Sequence, residues 1–135
     1  MTNPTQTNPN KDIARRYIDE VWNHGRLELV DELVAEDYRG QTHGAGQPVR
    51  EGREGVKKWV GGLHAAFPDG SKILRSLVAE GDRVVAEVSF SGTHAASGRR
   101  VSNEQVYVYE LQGGRIVREA VYFDVSGTLS AVKQP

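Results

Sequence analysis

Asp124 closes the apolar run Val121-Tyr122-Phe123 near the end of the chain, and no Lys or Arg lies within five residues of it. A carboxylate enclosed by apolar groups has its charged form disfavoured and can take and return a proton near neutral pH. Asp124 is therefore the first candidate for acid–base chemistry. The competing reading is local: Asp124 ends a strand and caps the following Val-Ser-Gly as a turn. Tyr17 sits in an apolar helical stripe, where its phenol can donate to a carbonyl oxygen while its ring packs inward. His43 can hold substrate or share a proton with Asp124, and His94, in Gly-Thr-His, is a further candidate at a strand end. Trp59, Leu63 and Phe67 fall at four-residue steps, a core stripe that can double as a pocket wall.

Other chemistries are excluded by what the chain lacks. There is no cysteine, which removes disulfides, thiolate metal sites and thiol nucleophiles. The four histidines show no paired metal-ligand spacing. Gln-Gly-Gly-Arg and Gly-Ala-Gly-Gln-Pro are turns rather than phosphate loops, and no G-x-S-x-G elbow occurs. The formal net charge of −1, from 17 basic and 18 acidic residues, gives no footprint for nucleic acid. No apolar run is long enough to span a membrane. The expected protein uses no cofactor and no metal. It is cytoplasmic, with residues 1–10 as a flexible leader before a single domain at 11–135.

The elements that must position these residues are helices first, then strands. Ile13, Tyr17 and Val21 recur at four-residue steps and predict a helix over 11–24, with Asn10 as its N-cap. A shorter helix is expected over 27–36, one strand near 38–43, and a third helix over 54–67, stopped by Pro68. Four strands follow, near 73–79, 84–90, 101–111 and 116–124, with turn signals between them, so the fold class is α+β. Alternation puts Ala120, Tyr122 and Asp124 on one face of the last strand and Val121 and Phe123 on the other. The expectation is that Val106, Val108 and Tyr122 line the pocket with Asp124. Tyr107, Tyr109 and Phe123 would then pack against a homodimer partner.

Taken in order, the stretches AFPD, AEGDRVV, GTH, GRRV and GGRIVREAVYFD, behind two helices and a DY…H segment, resemble the SnoaL-like polyketide cyclases. That family lies in the nuclear-transport-factor-2-like superfamily, and the resemblance spans Lys11 to Leu129. It implies a cone-shaped fold, with three N-terminal helices packed in a strongly curved, mainly antiparallel sheet around a deep pocket. It also implies dimers formed on the outer sheet face and a late aspartate acting as acid–base catalyst in an aldol-type ring closure. Asp124 matches that aspartate. A tyrosine on the first helix is functional in the ketosteroid isomerase branch, and Tyr17 matches it. The expected function is a cofactor-independent cyclase or isomerase acting on a small apolar carbonyl substrate. An epoxide hydrolase of the superfamily needs an Arg-x-Asp where this chain has Val88 and Phe90. A ketosteroid isomerase needs carboxylates near Thr42 or His43 and near Gln105 or Val106. A non-catalytic dimeric ligand-binding module is the third alternative.

Overall fold

The computed structural model describes residues 8–44 and 49–133. Residues 1–7 of the expected leader lie outside them. The first helix starts earlier than expected: α1 spans Pro9–Arg16, and its N-cap is Asn8, whose side chain accepts from the Asn10 N–H at 2.8 Å. Pro9 suits the first turn, where no backbone donor is needed. The helix runs on through Tyr17–Asn23 with wider, π-type hydrogen bonding. A single 3₁₀ turn (Leu27–Leu29) and the short α2 (Val30–Leu33) lead directly into β1 (Val34–Thr42).

The two-residue β2 (Arg50–Glu51) pairs antiparallel with β1 and opens α3 (Gly52–Ala66). Four long strands follow: β3 (Ser71–Glu80), β4 (Arg83–Thr93), β5 (Arg100–Gln112) and β6 (Arg115–Tyr122). The sheet order is β2-β1-β6-β5-β4-β3, antiparallel throughout except for the parallel pairing of β1 with β6. Register shifts at Leu74/Ser76 and Glu110/Leu111 bend the strands, because a bulge adds twist on one side of the ladder. The sheet curls around α1, its π-type continuation and α3, as the α+β reading expects. A fourth helix, α4 (Val125–Lys133), was not foreseen. It covers the end of the concave side near β5.

The inward face of the sheet is the opposite of the expected one. Gln105, Tyr107, Tyr109 and Leu111 of β5 point into the concavity, and so do Glu119 and Val121 of β6. Tyr107 and Tyr109 are 1% and 0% exposed, whereas Val106 is 36% exposed and Tyr122 45%. Val106, Val108 and Tyr122 thus lie on the outer face, and Tyr107 and Tyr109 cannot meet a partner there. The physical reason is area. A buried tyrosine removes roughly 150–250 Å² from water, worth about 25 cal/mol per Å², which is more than a valine offers. Period-two alternation identifies two faces but not which one is inside.

Gly40 shows how tightly this interior is filled. It lies on β1 between Tyr38 and Thr42, all three facing inward. A Cβ at Gly40 would overlap the Tyr38 hydroxyl and come within 3.0 Å of Arg50 Nη2. Only glycine lets the Tyr38 phenol lie along its own strand.

Candidate active site

The concave side holds a partly enclosed cavity of about 190 Å³. Trp59, Leu63 and Phe67 of α3 form one wall; Phe90, Val121 and Phe123 face them from the sheet side. Val125 and Leu129 of α4 close the end. Polar groups enter at few points: Lys72, Gln105 and Tyr107, with Thr42, His94 and Asn103 elsewhere on the wall. An apolar enclosure with a few fixed polar groups is the usual form of a small-molecule site. A larger hollow, about 640 Å³, lies open on the outer face beside His43, Val108 and Tyr122. It does not exclude water, so it suits recognition rather than proton chemistry.

Lys72 is 6% exposed. Its backbone is pinned to the end of the first helix, because Asn23 both donates to the Lys72 carbonyl and accepts from its N–H, each at 2.8 Å. Its ammonium nitrogen sits 3.3 Å from the Trp22 ring centroid and donates to the Tyr107 hydroxyl at 2.5 Å. The Tyr107 hydroxyl in turn donates to Gln105 Oε1. Burial pulls the Lys72 pKa down from 10.5 to about 7, the Glu119 carboxylate pulls it back up, and Arg50 pushes it further down. At about 1.4 kcal/mol per pKa unit, that drop is roughly 5 kcal/mol. A desolvated cation–π contact favours the ammonium by only about 2 kcal/mol, so Trp22 does not reverse it.

A second buried network stands beside the first. Glu119 is 3% exposed, and its Oε1 accepts from Tyr38 at 2.6 Å and from Tyr17 at 3.2 Å. Tyr109 packs edge-on against Tyr17, with ring centroids 5.9 Å apart. Burial, and next the Glu119 charge, raise the phenol pKa values of Tyr17, Tyr38 and Tyr109, so all three stay protonated. Glu119 Oε2 and the Tyr109 hydroxyl have no hydrogen-bond partner among the described residues. Arg50 lies over the Trp59 ring at 3.4 Å and donates to Thr42 Oγ1 at 3.1 Å.

The expected catalytic set is dispersed. Asp124 is exposed and caps α4: its Oδ1 accepts from the Gly127 N–H at 3.0 Å, and its carbonyl accepts from Thr128 Oγ1 at 2.9 Å. A cap position satisfies helix donors in solvent, so Asp124 gains no apolar enclosure there. Tyr17 is fully buried, bonded to Glu119, and does not line the cavity. His43 lies on the outer face, stacked flat on Tyr122 with centroids 4.5 Å apart. Trp59, Leu63, Phe67 and His94 are on the cavity wall. His94 Nδ1 lies 2.8 Å from Ser97 Oγ.

Lys72, Gln105 and Glu119 went unread. Glu119 did carry a signal, since it alternates in phase with Val121 and Phe123. Lys72 carried one too, in phase with Leu74. Among the described residues, no three His, Asp or Glu side chains converge as for a metal, and no helix is long and apolar enough to cross a membrane.

The site's setting has known counterparts. A family model for SnoaL-like polyketide cyclase matches residues 12–132. The chain is 27% identical to aklanonic acid methyl ester cyclase DauD of Streptomyces sp. (strain C5), over 94% of this chain and 83% of that one. A proposed SnoaL-like polyketide cyclase from Jannaschia sp. CCS1 superposes with a TM-score of 0.88 at 22% identity, over 100% of this chain and 98% of that one. A proposed polyketide cyclase from Acidithiobacillus ferrooxidans gives 0.81 at 27% identity, over 98% and 99% of the two chains.

The Lys72 environment has a consequence for stability. Between about pH 7 and pH 10.5 the unfolded chain keeps the Lys72 proton that the folded chain has lost. The unfolded state therefore binds more protons, and stability rises with pH across that window, by on the order of 1.4 kcal/mol per pH unit from this group. Urea denaturation at the two ends of the window, on wild type and Lys72→Met, isolates it. The gain should appear in wild type and shrink in the variant. An equal pH dependence in both proteins contradicts it.

Proposed function

We propose a ring-closing enzyme, taking as premise that the chain belongs to the SnoaL-like polyketide cyclase family. Its fold is the family's α+β cone. What supports the reading most is the partly enclosed cavity with mostly apolar walls and a hydrogen-bonded polar group of Lys72, Tyr107 and Gln105. The volume bounds the substrate. About 190 Å³ is close to the roughly 150 Å³ cavity that holds benzene in other proteins, so a compact carbonyl compound fits while α4 stays in place.

In this reading the substrate carbonyl lies at that polar group and its chain folds against Trp59, Phe67 and Phe123. Lys72, held by the Tyr107 hydroxyl that accepts from it and donates to Gln105, donates to the carbonyl oxygen as it gains negative charge, in a site that needs no reorganisation by water. His94 takes the proton from the neighbouring carbon. In the tautomer whose Nδ1–H donates to Ser97 Oγ, its Nε2 is the acceptor for that proton. The carbanion adds to a second carbonyl, the carbon–carbon bond closes the ring, and His94 returns its proton. Asp124 has no part in this. Val88 and Phe90 offer no Arg-x-Asp for epoxide opening. Gln105 supplies only an amide to the cavity, where an isomerase would place a carboxylic acid.

Homodimerisation through the outer sheet face belongs to the same proposal, with different residues from those first expected. Val78, Val106 and Tyr122 are exposed there. Arg39, Arg83 and Arg118 share that face with Glu110, so it offers charges of both signs to a second copy. Sedimentation at micromolar concentration should give a dimer for wild type and a shift toward monomer for Tyr122→Asp. A wild-type monomer contradicts it.

Turnover of a short cyclisable β-polyketone, followed by product mass and absorbance, tests the chemistry. His94→Gln should lose about 10²–10⁴-fold, and Tyr107→Phe should lower the rate by releasing the Lys72 amine from the hydroxyl that holds it. Asp124→Asn should turn over as wild type does. Undiminished rates in both His94→Gln and Tyr107→Phe contradict the assignment.

A further inference from the structure

The cavity contains a group that hydrogen bonding alone does not account for. Lys72 is the one lysine on the wall of the concave-side cavity, and among the described residues no carboxylate lies within ion-pair distance of it. A lysine that only held an anion would serve best fully charged and near the surface. This one is enclosed by Trp22, Trp59 and Tyr107, with Nζ 3.3, 5.7 and 4.7 Å from their ring centroids. Asn23 fixes the backbone through both the N–H and the carbonyl of Lys72. Desolvation in an apolar pocket is how a lysine amine becomes a nucleophile toward carbonyl carbon.

We infer that Lys72 forms an imine with a ketone or aldehyde carbon of the molecule held in this cavity. The inference rests on the ring-closing reading for its biological substrate and deepens it, by making carbonyl activation covalent. The nitrogen lone pair forms the C–N bond while the carbonyl pair moves onto oxygen. The oxygen leaves with the two amine hydrogens as one water, and no oxidant or reductant is needed. The Tyr107 hydroxyl, 2.5 Å from the nitrogen and donating to Gln105, holds the amine in place, while His94 on the same wall carries the amine protons to the departing oxygen. Protonated, the imine acidifies the adjacent carbon more than the ketone did. His94 can take that proton, and the enamine formed adds to a second carbonyl, whose oxygen takes the proton back from His94. Water then releases the product and restores the amine. Aromatic walls suit this intermediate, because they keep water from hydrolysing it early.

The test uses acetylacetone, a small diketone that forms a conjugated, near-ultraviolet-absorbing adduct with reactive amines, and borohydride to trap simple ketone adducts. The chain has five lysines: Lys11, Lys57, Lys58, Lys72 and Lys133. The expected result is one adduct per chain, mapped by peptide mass spectrometry to Lys72, forming faster as pH rises through about 7. It should be absent in Lys72→Arg, with the far-ultraviolet circular dichroism of wild type. Mapping on wild type alone decides the matter if the variant fails to fold. Labelling spread over Lys11, Lys57, Lys58 and Lys133, or no adduct, overturns the imine. If Lys72 is unlabelled yet wild type still cyclises the polyketone, the imine falls and the ring-closing reading stands. If Lys72 is labelled and no polyketone is turned over, the imine stands and the ring-closing reading falls.

Discussion

A carboxylate inside the cone governs the arrangement of the rest. Glu119 is 3% exposed, and an ion buried without partners costs far more than a domain can spare. Tyr17 from the first helix and Tyr38 from β1 both donate to its Oε1. That single oxygen ties together the helix, the parallel β1–β6 pairing and the inward face of β6. It also explains Gly40, since any side chain there would displace the Tyr38 hydroxyl. Slipping β6 by one residue would turn Glu119 out and Arg118 in, so the register is specified by polar satisfaction as well as by area.

The same constraint sets the electrostatics of the cavity. Glu119, Arg50 and Lys72 act on one another across a dry interior, and Lys72 carries the compromise. Its burial outweighs the pull of Glu119, while Arg50 adds to the loss of its proton. Arg50 lies over the Trp59 face, and Lys72 is able to change its protonation near neutral pH. The phenols do not share that freedom, because burial and the Glu119 charge hold them protonated. Among the described residues on the cavity wall, the chemistry available is one amine, one imidazole and neutral hydrogen-bonding groups, without a carboxylate.

Much of the architecture was legible in the sequence. Four-residue spacing of Ile13, Tyr17 and Val21 marked the first helix, and Pro68 marked the end of α3. Turn glycines separated the long strands, and the order of helices before strands gave the α+β class. The faces were not legible. Tyrosines with polar tips read as surface aromatics, yet Tyr107 and Tyr109 are the core. Asp124 misled for a related reason: the absence of nearby cations fits an active-site acid and a helix cap equally well. The capping alternative, expected as a turn, turned out to start α4, whose Gly127 and Val125 give a weak helical signal. Glu119 and Lys72 were readable in principle, as polar residues in phase with apolar ones. Such a position is costly unless a partner waits across the fold, and one sequence does not show that partner.

The central claim is that the cavity's working group is a buried amine at Lys72 and not a carboxylate at Asp124. Direct titration of the lysine side chains by carbon-detected nuclear magnetic resonance, on protein labelled at the lysine ε-carbon, tests it most directly. The account predicts one lysine signal, missing in Lys72→Arg, with its midpoint near 7, well below the ordinary lysine value of about 10.4. A Lys72 signal that titrates with the rest would contradict it.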